Sequence, residues 1–189
     1  MTKILKSYLT STEARVYVAC LASYNAGKLV GKWLPATDVD ELRQGIAEML
    51  ESSPEPGAEE WAVHDYDGGL GRVFKTESPD LEDLCAFGEA LQSVDDAAAF
   101  LAWAEYSSGY ELDGLDASEL EQRFEDQYRG EWDSEKDFAE DYVEQVGDLS
   151  LIPENLRSYF DYEAYARDLF MDLTSVDRPG GVYVFDFNA

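Results

Sequence analysis

The chain has 189 residues, 45% of them hydrophobic and 13% aromatic, so it can supply the core of one sizeable domain or of two to three small ones. Its 41 acidic and 14 basic residues give a formal charge of −27, which argues against non-specific attraction to nucleic acid or to an anionic membrane and predicts basic partners. The longest strongly apolar run, Val16 to Ala22, is too short to span a bilayer, and residues 1–15 lack the apolar core of a signal peptide, so we expect a soluble, cytoplasmic protein.

The first third of the chain predicts an α+β unit. Val16 to Leu21 is a β-branched and aromatic run typical of a strand, "SYNAGKLVG" has the composition of a turn or loop, and "GKWLPA" can return as a second strand. Asp38 and Glu41 have the spacing of a capping box and predict a helix that runs to about Leu50. "SSPEPG" at 52–57 then breaks the chain, and "EWAVHDYDG" predicts another strand that ends in a turn.

A helical middle segment follows. Ser78 can cap a helix whose first residue is Pro79, and Asp95 or Asp96 can start the next helix. Trp103 is expected at the flank of that second helix. The residues expected on its buried face are Phe100, Leu101 and Ala104.

The remaining chain predicts three more helices, near 117–128, near 135–146 and around Tyr162 to Leu173, and "RPGGVYVFDF" predicts a closing turn and strand. We therefore expect a helix-rich α+β protein with three small domains. The expected domains are an N-terminal α+β domain at 1–75, a helical middle domain at 76–115 and a C-terminal α+β domain at 116–189.

The negative charge is concentrated in the middle and later chain. Residues 76–110 hold eight acidic residues and no Lys or Arg, and residues 111–148 hold fifteen acidic and three basic ones, whereas residues 1–37 hold one acidic and five basic. Acidic blocks with few aromatics are typical of disorder, but here aromatic residues such as Phe124 and Trp132 are interleaved with the acids. The pattern predicts folded helices with acidic faces.

A stripe of four carboxylates is predicted on the helix near 135–146. At about 100° per residue they share one sector of the helix, and they lie roughly 3.5 Å apart along its axis, close to the phosphate spacing of one DNA strand. They are Asp137, Glu140, Asp141 and Glu144. The apolar residues expected to anchor the opposite side are Phe138, Ala139, Tyr142, Val143 and Val146.

Helix stability does not explain this stripe, because like charges four residues apart each cost a few tenths of a kcal/mol. Two alternatives to a working surface stay open. One is the ordinary solvated face of an amphipathic helix, and the other is adaptation to high salt.

Candidate sites of other kinds have weaker support. "GKLVGKW" has three residues between its glycines and Trp after Lys, so it does not fit a phosphate-binding loop. His64 could be a general base paired with Asp65 or Asp67, but no nucleophile motif accompanies it, and a lone His at a strand end is more often structural. "DYDGGLG" lacks the later ligands of a calcium loop. Cys20 and Cys85 stand alone and are expected to be small buried hydrophobes, so we expect no catalytic residue, metal or cofactor.

Three other segments resemble, in this order, the ArdA family of antirestriction proteins: "VYVACLASYNAGKLVGKWLPA" (16–36), "VHDYDG" (63–68) and "ENLRSYFDYEAYARDLFMDL" (154–173). The resemblance runs from about Val16 to Phe185, and the basic leader 1–15 looks like an addition to it. It implies an elongated homodimer, joined through its C-terminal domains, whose carboxylates imitate the phosphates of a bent duplex. Such proteins occupy the DNA groove of Type I restriction-modification enzymes, block cleavage and often methylation, and are encoded on mobile elements.

We therefore predict a DNA mimic that binds the methyltransferase core of a Type I restriction-modification enzyme and is not itself an enzyme. The excess of 27 negative charges corresponds to roughly 13 base pairs of DNA per chain. The alternative is an acidic scaffold or chaperone for another basic DNA-binding protein. In neither case is nucleic acid or a membrane the expected partner.

Two groups of residues carry this prediction. The carboxylates expected on the mimic surface are Glu82, Asp83, Glu89, Glu119, Asp126, Asp137, Glu140, Asp141 and Glu144. The block that resembles the family's antirestriction motif holds Phe160, Tyr165, Arg167, Asp168 and Leu169. We expect this block to shape the C-terminal fold or the dimer rather than to touch the target.

Overall fold

The computed structural model describes residues 13–107, 112–146 and 148–189. The chain divides into two compact units, Met1–Arg123 and Phe124–Ala189. The described residues form eight α-helices and six strands, with one three-stranded sheet in each unit, which confirms the predicted α+β class. The division into three domains with boundaries near 75 and 115 stays a prediction.

The sheet of the first unit has the order β2-β1-β3, with both pairs antiparallel: β1 (Arg15–Cys20), β2 (Gly31–Pro35) and β3 (Trp61–Asp67). All three strands were predicted, β1 from its β-branched and aromatic run and the other two from segments that lie next to turn signals. The central strand buries Val16 and Val18. The prediction of a loop after β1 was wrong in part, because α1 (Leu21–Asn25) begins directly at the end of the strand. A helix of little more than one turn is too short to leave a periodic signal in the sequence.

The helix α2 (Val39–Glu51) begins as predicted, with the Asp38 carboxylate accepting a hydrogen bond of 2.8 Å from the Glu41 amide. The helix contacts β2 and β1. Its buried side chains are Leu42, Ile46 and Met49. These side chains contribute to the apolar core of the first unit.

The helix α3 (Leu81–Ser93) corrects the predicted start at Pro79. Asp80, rather than Ser78, is the cap, because its carboxylate accepts from the amides of Glu82 and Asp83 at 2.9 and 3.2 Å. A carboxylate that satisfies two of the free N–H groups is a better cap than a hydroxyl two residues earlier, so Pro79 stays outside the helix.

The next helix, α4 (Ala97–Tyr106), is capped by Asp96, whose carboxylate accepts from the Ala99 amide at 3.0 Å. Trp103 was predicted at the flank but is fully buried, and Leu101 is only half-buried. The indole lies 5.3 Å from the ring of Phe100, which is itself 5.1 Å from Phe87 of α3. This row of aromatic rings joins α3 to α4 and places Trp103 in the core.

Gly88 permits the closest approach between α3 and the end of the first sheet. A Cβ atom at this position would lie 1.9 Å from the carbonyl oxygen of Ala36, which follows β2. A side chain of any kind would therefore push the helix away from the sheet.

The second unit contains the end of α5 and a small sheet with the order β4-β6-β5, again with antiparallel pairs. Its elements are α5 (Ala117–Gln127), β4 (Tyr128–Trp132), α6 (Glu135–Val146), α7 (Glu154–Arg157), α8 (Tyr162–Leu169), β5 (Thr174–Arg178) and β6 (Gly181–Phe185). The core lies between α6 and the central strand β6, where Phe138 packs with Val182 and Val184.

Four features of this unit differ from the prediction, and one of them is the four-residue helix α7, which was not predicted. The strands β4 and β5 were not predicted, because "YRGEW" and "TSVDR" lack the apolar run that marks β6. The last helix ends at Leu169 instead of Leu173, since β5 begins at Thr174 and the chain must turn before it.

No helix in the described part of the chain is both long and apolar enough to cross a bilayer.

Candidate functional site

The three carboxylates predicted on α3 line one cleft of the first unit. Glu82, Asp83 and Glu89 surround a volume of about 390 Å³, together with two further carboxylates, those of Asp38 and Asp116. Its other lining residues include Val39, Cys85, Ala86 and Leu115. The cleft therefore has an acidic rim over an apolar floor.

Most carboxylates of this rim also hold the fold together. Glu82 forms an ion pair with the Arg43 guanidinium of α2, and the Asp83 carboxylate accepts a hydrogen bond of 2.9 Å from the Gly114 amide. Glu89 is exposed, and the structure gives it no ion pair or hydrogen bond within the described residues. Of the three, Glu89 is the one whose charge is most available to a partner.

The pKa of the Cys85 thiol depends on the burial and the negative charge of this cleft. Burial, together with the nearby carboxylates of Asp38 and Glu82, raises the pKa of Cys85 to about 12 against the opposing effect of the Arg43 guanidinium. The thiol therefore stays protonated at neutral pH. Both cysteines are buried, as predicted.

The two carboxylates predicted on α5 differ in their surroundings. Glu119 and Asp116 form a reciprocal capping box, in which each carboxylate accepts from the other residue's amide at 2.9 Å. Asp126 has an exposed side chain, and its carbonyl oxygen accepts from the Arg129 guanidinium at 2.6 Å. Glu119 thus stabilises the start of α5 in addition to carrying surface charge.

The four carboxylates of the α6 stripe lie on the solvent side of the helix. Asp137 and Glu144 are exposed, whereas Glu140 and Asp141 are half-buried. Three of them have local partners: the Ser134 hydroxyl donates to Asp137 at 2.5 Å, Lys136 lies 3.6 Å from Glu140, and the Gln145 amide donates to Asp141. Only one of these partners is basic, so most of the negative charge of the stripe is not compensated within the helix.

The side of α6 that packs into the core is narrower than predicted. Phe138, Ala139 and Val143 are buried, but Tyr142 and Val146 are 37% and 48% exposed. A helix resting on one small sheet and one neighbouring helix buries only a narrow face, which leaves residues at the edges of the apolar side in solvent. Tyr142 still stacks on Phe138, with ring centroids 5.8 Å apart.

The block that resembles the antirestriction motif has both packed and exposed residues. The Phe160 ring lies 5.5 Å from the ring of Tyr165, and Leu169 packs against the core around Phe138. Arg167 and Asp168 are 3.8 Å apart, and both side chains are 71% exposed. Phe160, Tyr165 and Leu169 therefore contribute to packing, whereas the charged pair faces solvent.

Sequence reasoning missed a group of exposed apolar side chains in the second unit. Leu151, Tyr159 and Met171 are 87%, 83% and 77% exposed. Apolar side chains exposed singly are normal on a protein surface, whereas a contiguous patch of them marks an interaction site. In the sequence they could have been recognised only as apolar residues that do not fit a helical period.

The candidate acid-base pair at His64 does not form. His64 is the extra residue of a bulge between β3 and β1 rather than a strand end, and its ring lies 5.0 Å from that of Tyr24. Asp67 binds the Arg15 guanidinium at 2.5 Å, and this hydrogen bond holds the pKa of Asp67 below its ordinary value. In the ranges that the structure describes, no group of three His, Cys, Asp or Glu is placed to hold a metal ion.

Comparison with family models finds a match over most of the chain. The family model described as "Antirestriction protein (ArdA)" matches residues 16–184. The matched range contains the three segments that resemble the family in sequence and includes residues of both compact units. No curated protein matches the chain.

Proposed function

We propose that this chain, which belongs to the ArdA family of antirestriction proteins, is a DNA mimic that occupies the DNA-binding groove of a Type I restriction-modification enzyme. Membership of the family makes the chain an antirestriction protein, and a restriction-modification enzyme is the partner that this activity implies. The mimicry, the Type I class of the enzyme and binding to its methyltransferase core are the further steps proposed here.

The observation that supports mimicry best is the two-sided character of α3 and α6. The helix α3 buries Leu84, Phe87 and Leu91 and exposes Glu82 and Glu89. The helix α6 likewise buries Phe138 and Val143 behind its carboxylate stripe. In both helices the apolar side fixes the backbone, so the carboxylates form a preorganised row of charges rather than a mobile acidic tail.

The mechanism is competitive. Lys and Arg residues that bind phosphates in the enzyme would pair with these carboxylates, and DNA would be excluded from the groove. Exposed ion pairs are individually weak, so the affinity would come from the sum of many contacts and from the long-range attraction of a chain with a formal charge of −27. Such binding weakens as salt screens the charges.

The exposed apolar residues of the second unit support a homodimer formed through that unit. Leu151, Tyr159 and Met171 would be removed from water by a symmetric contact between two copies. A dimer would also double the length of the acidic surface that the enzyme meets. Sedimentation of the purified protein at several concentrations measures this association directly.

The test is a titration of the purified protein into a Type I enzyme with its DNA substrate, with cleavage and methylation measured separately. We expect protection of the DNA, and we expect the protein concentration needed for protection to rise as salt is added. No protection, or protection that salt does not change, would contradict electrostatic mimicry. A pull-down from host lysate that recovers other basic DNA-binding proteins without restriction subunits would favour the scaffold alternative.

A further inference from the structure

The second unit contains a cleft that the predicted mimic surface does not use. Its volume is about 640 Å³, and its walls combine two aromatic rings, two leucines and two carboxylates. These residues are Phe138, Tyr142, Leu169, Leu173, Asp172 and Asp186, and Arg129 and Asn188 also line the cleft. A cleft of this size can hold a long side chain of a partner protein.

The aromatic wall of this cleft is fixed by packing against the core of the second unit. Phe138 belongs to the core of the second unit, and the Tyr142 ring stacks on it at a centroid distance of 5.8 Å and an angle of 25°. Tyr142 is 37% exposed, so its ring contributes an accessible aromatic surface. Leu169 and Leu173 pack against the same core and make the neighbouring wall apolar.

The charges at the cleft leave one carboxylate without a counterion. Asp186 pairs with the Arg129 guanidinium at 3.2 Å, and the other terminal nitrogen of Arg129 donates to the Asp126 carbonyl oxygen at 2.6 Å. Arg129 is therefore already occupied. The Asp172 carboxylate is exposed and has no ion pair or hydrogen bond to any residue that the structure describes. Once Arg129 and Asp186 neutralise each other, the cleft keeps one negative charge.

We propose that this cleft receives an arginine side chain of the restriction-modification enzyme, an inference that rests on the proposed function. A guanidinium can stack on the Tyr142 ring, its methylene stem can lie against Leu169, and its fork of N–H groups can bind Asp172. An anion would be repelled by Asp172, and a purely apolar group would leave that carboxylate unpaired.

The surroundings of the cleft also favour a basic occupant. Residues 124–189 contain 17 acidic and five basic residues, so their charge attracts a cationic side chain from a distance. Tyr142 lies on α6 directly after Asp141 of the carboxylate stripe. Successive residues of a helix point about 100° apart, so the side chain that enters the cleft would be a different one from those that pair with the stripe.

The arginine bound in this cleft would contribute more to the affinity for the enzyme than any single carboxylate of the stripe. An exposed carboxylate of the stripe contributes little by itself, whereas a guanidinium that is stacked and partly removed from water forms a stronger charge-assisted hydrogen bond. A single substitution at Asp172 would then reduce the affinity for the enzyme by more than the loss of one exposed charge predicts.

The experiment compares two substitutions that remove the same charge from the same unit. Asp172→Asn changes the cleft, and Asp177→Asn changes an exposed carboxylate on β5 that does not line it. We expect Asp172→Asn to raise the Kd for the Type I enzyme about tenfold and Asp177→Asn to raise it less than about twofold. Tyr142→Leu should also weaken binding, and Tyr142→Phe should preserve it, because only the former removes the aromatic ring.

The outcomes separate the two proposals. Equal effects of Asp172→Asn and Asp177→Asn, with the unsubstituted protein still binding, would overturn the arginine cleft and leave the DNA mimic intact. Equal binding by Tyr142→Leu and Tyr142→Phe would likewise overturn it. If the unsubstituted protein does not bind the enzyme at all, the proposed function fails and the cleft inference fails with it. Thermal unfolding of each variant verifies that the second unit remains folded.

Discussion

Neutralising the α6 stripe should weaken inhibition without weakening the fold. The variant carries Asp137→Asn, Glu140→Gln, Asp141→Asn and Glu144→Gln, which keep the size of each side chain. Exposed ion pairs are worth about 0.2–1 kcal/mol each, so the loss of four contacts predicts a total of about 1–4 kcal/mol. That range corresponds to an increase of the inhibition constant by a factor between about 5 and 1,000.

The structure places the expected value in the lower half of this range. Lys136 already compensates Glu140 in part, at 3.6 Å, so the contribution of Glu140 to an enzyme contact is reduced. Asp137 and Glu144 are more exposed and should account for more of the loss. We therefore expect an increase of roughly 10- to 50-fold at low salt and a smaller one at high salt.

The free energy of unfolding should change little in this variant. Asp137 with Asp141 and Glu140 with Glu144 are like-charge pairs four residues apart, and removing each repulsion gains a few tenths of a kcal/mol. Asn at position 137 can still accept a hydrogen bond from the Ser134 hydroxyl that now binds Asp137. Neutralising Glu140 also removes its ion pair with Lys136 at 3.6 Å, so gain and loss are of similar size, and the melting temperature should stay nearly constant while inhibition falls.

A matched variant separates a specific surface from net charge. Four acidic residues of α2 are neutralised in the same way: Asp40, Glu41, Glu48 and Glu51. Both variants change the formal charge from −27 by the same amount. Inhibition is measured as protection of DNA from cleavage over a salt series. If both variants lose inhibition equally, only net charge matters; if the α6 variant loses none, the stripe is not part of the interface.

Three further predictions concern the first unit. Gly88→Ala should lower the free energy of unfolding, measured in urea, by about 2–4 kcal/mol, because its Cβ would lie 1.9 Å from a carbonyl oxygen. The control Gly71→Ala, whose Cβ would have its nearest contact at 3.4 Å, should be nearly neutral in the same measurement. The hydrogen bond from Arg15 lowers the pKa of Asp67, so this pairing should stabilise the folded protein fully above about pH 4 and less as the pH falls through the lowered pKa. The difference in unfolding free energy between the unsubstituted protein and Asp67→Asn should therefore shrink in acid, and a difference that grows in acid would contradict the pairing. Cys85, whose pKa burial raises to about 12, should react with iodoacetamide at pH 8 much more slowly in the folded than in the unfolded protein, and equal rates by peptide mass spectrometry would refute its burial.

The sequence predicted those elements whose signal is local. The Asp38 cap, the strand around Val16 and the apolar strand β6 each show a pattern that one segment alone determines. The strands β4 and β5 have no such signal, because their positions are set by pairing with β6. Trp103 was misplaced for a related reason, since its burial depends on Phe87 and Phe100 from two helices.

The candidate surface was predictable only in part for the same physical reason. Helical periodicity indicates which residues share a sector, so the stripe of α6 could be predicted from spacing. Whether a carboxylate is available to a partner depends on contacts that spacing does not contain, such as Arg43 beside Glu82 or the Gly114 amide on Asp83. The cleft beside Tyr142 combines residues from β4, from α6, from the end of α8 and the segment after it, and from the chain after β6, so no single segment indicates it.

The acidic residues of this protein therefore divide into two classes with different experimental behaviour. Asp80 and Asp96 cap helices, and Glu119 belongs to a capping box, so neutralising any of them changes a helix terminus as well as the surface charge. Glu89 and Glu144 have no such structural contact within the described residues. A loss of inhibition in a cap variant would not distinguish mimicry from misfolding, whereas a loss in variants of the second class would. Mimicry predicts that the second class alone reproduces the salt-dependent part of the inhibition.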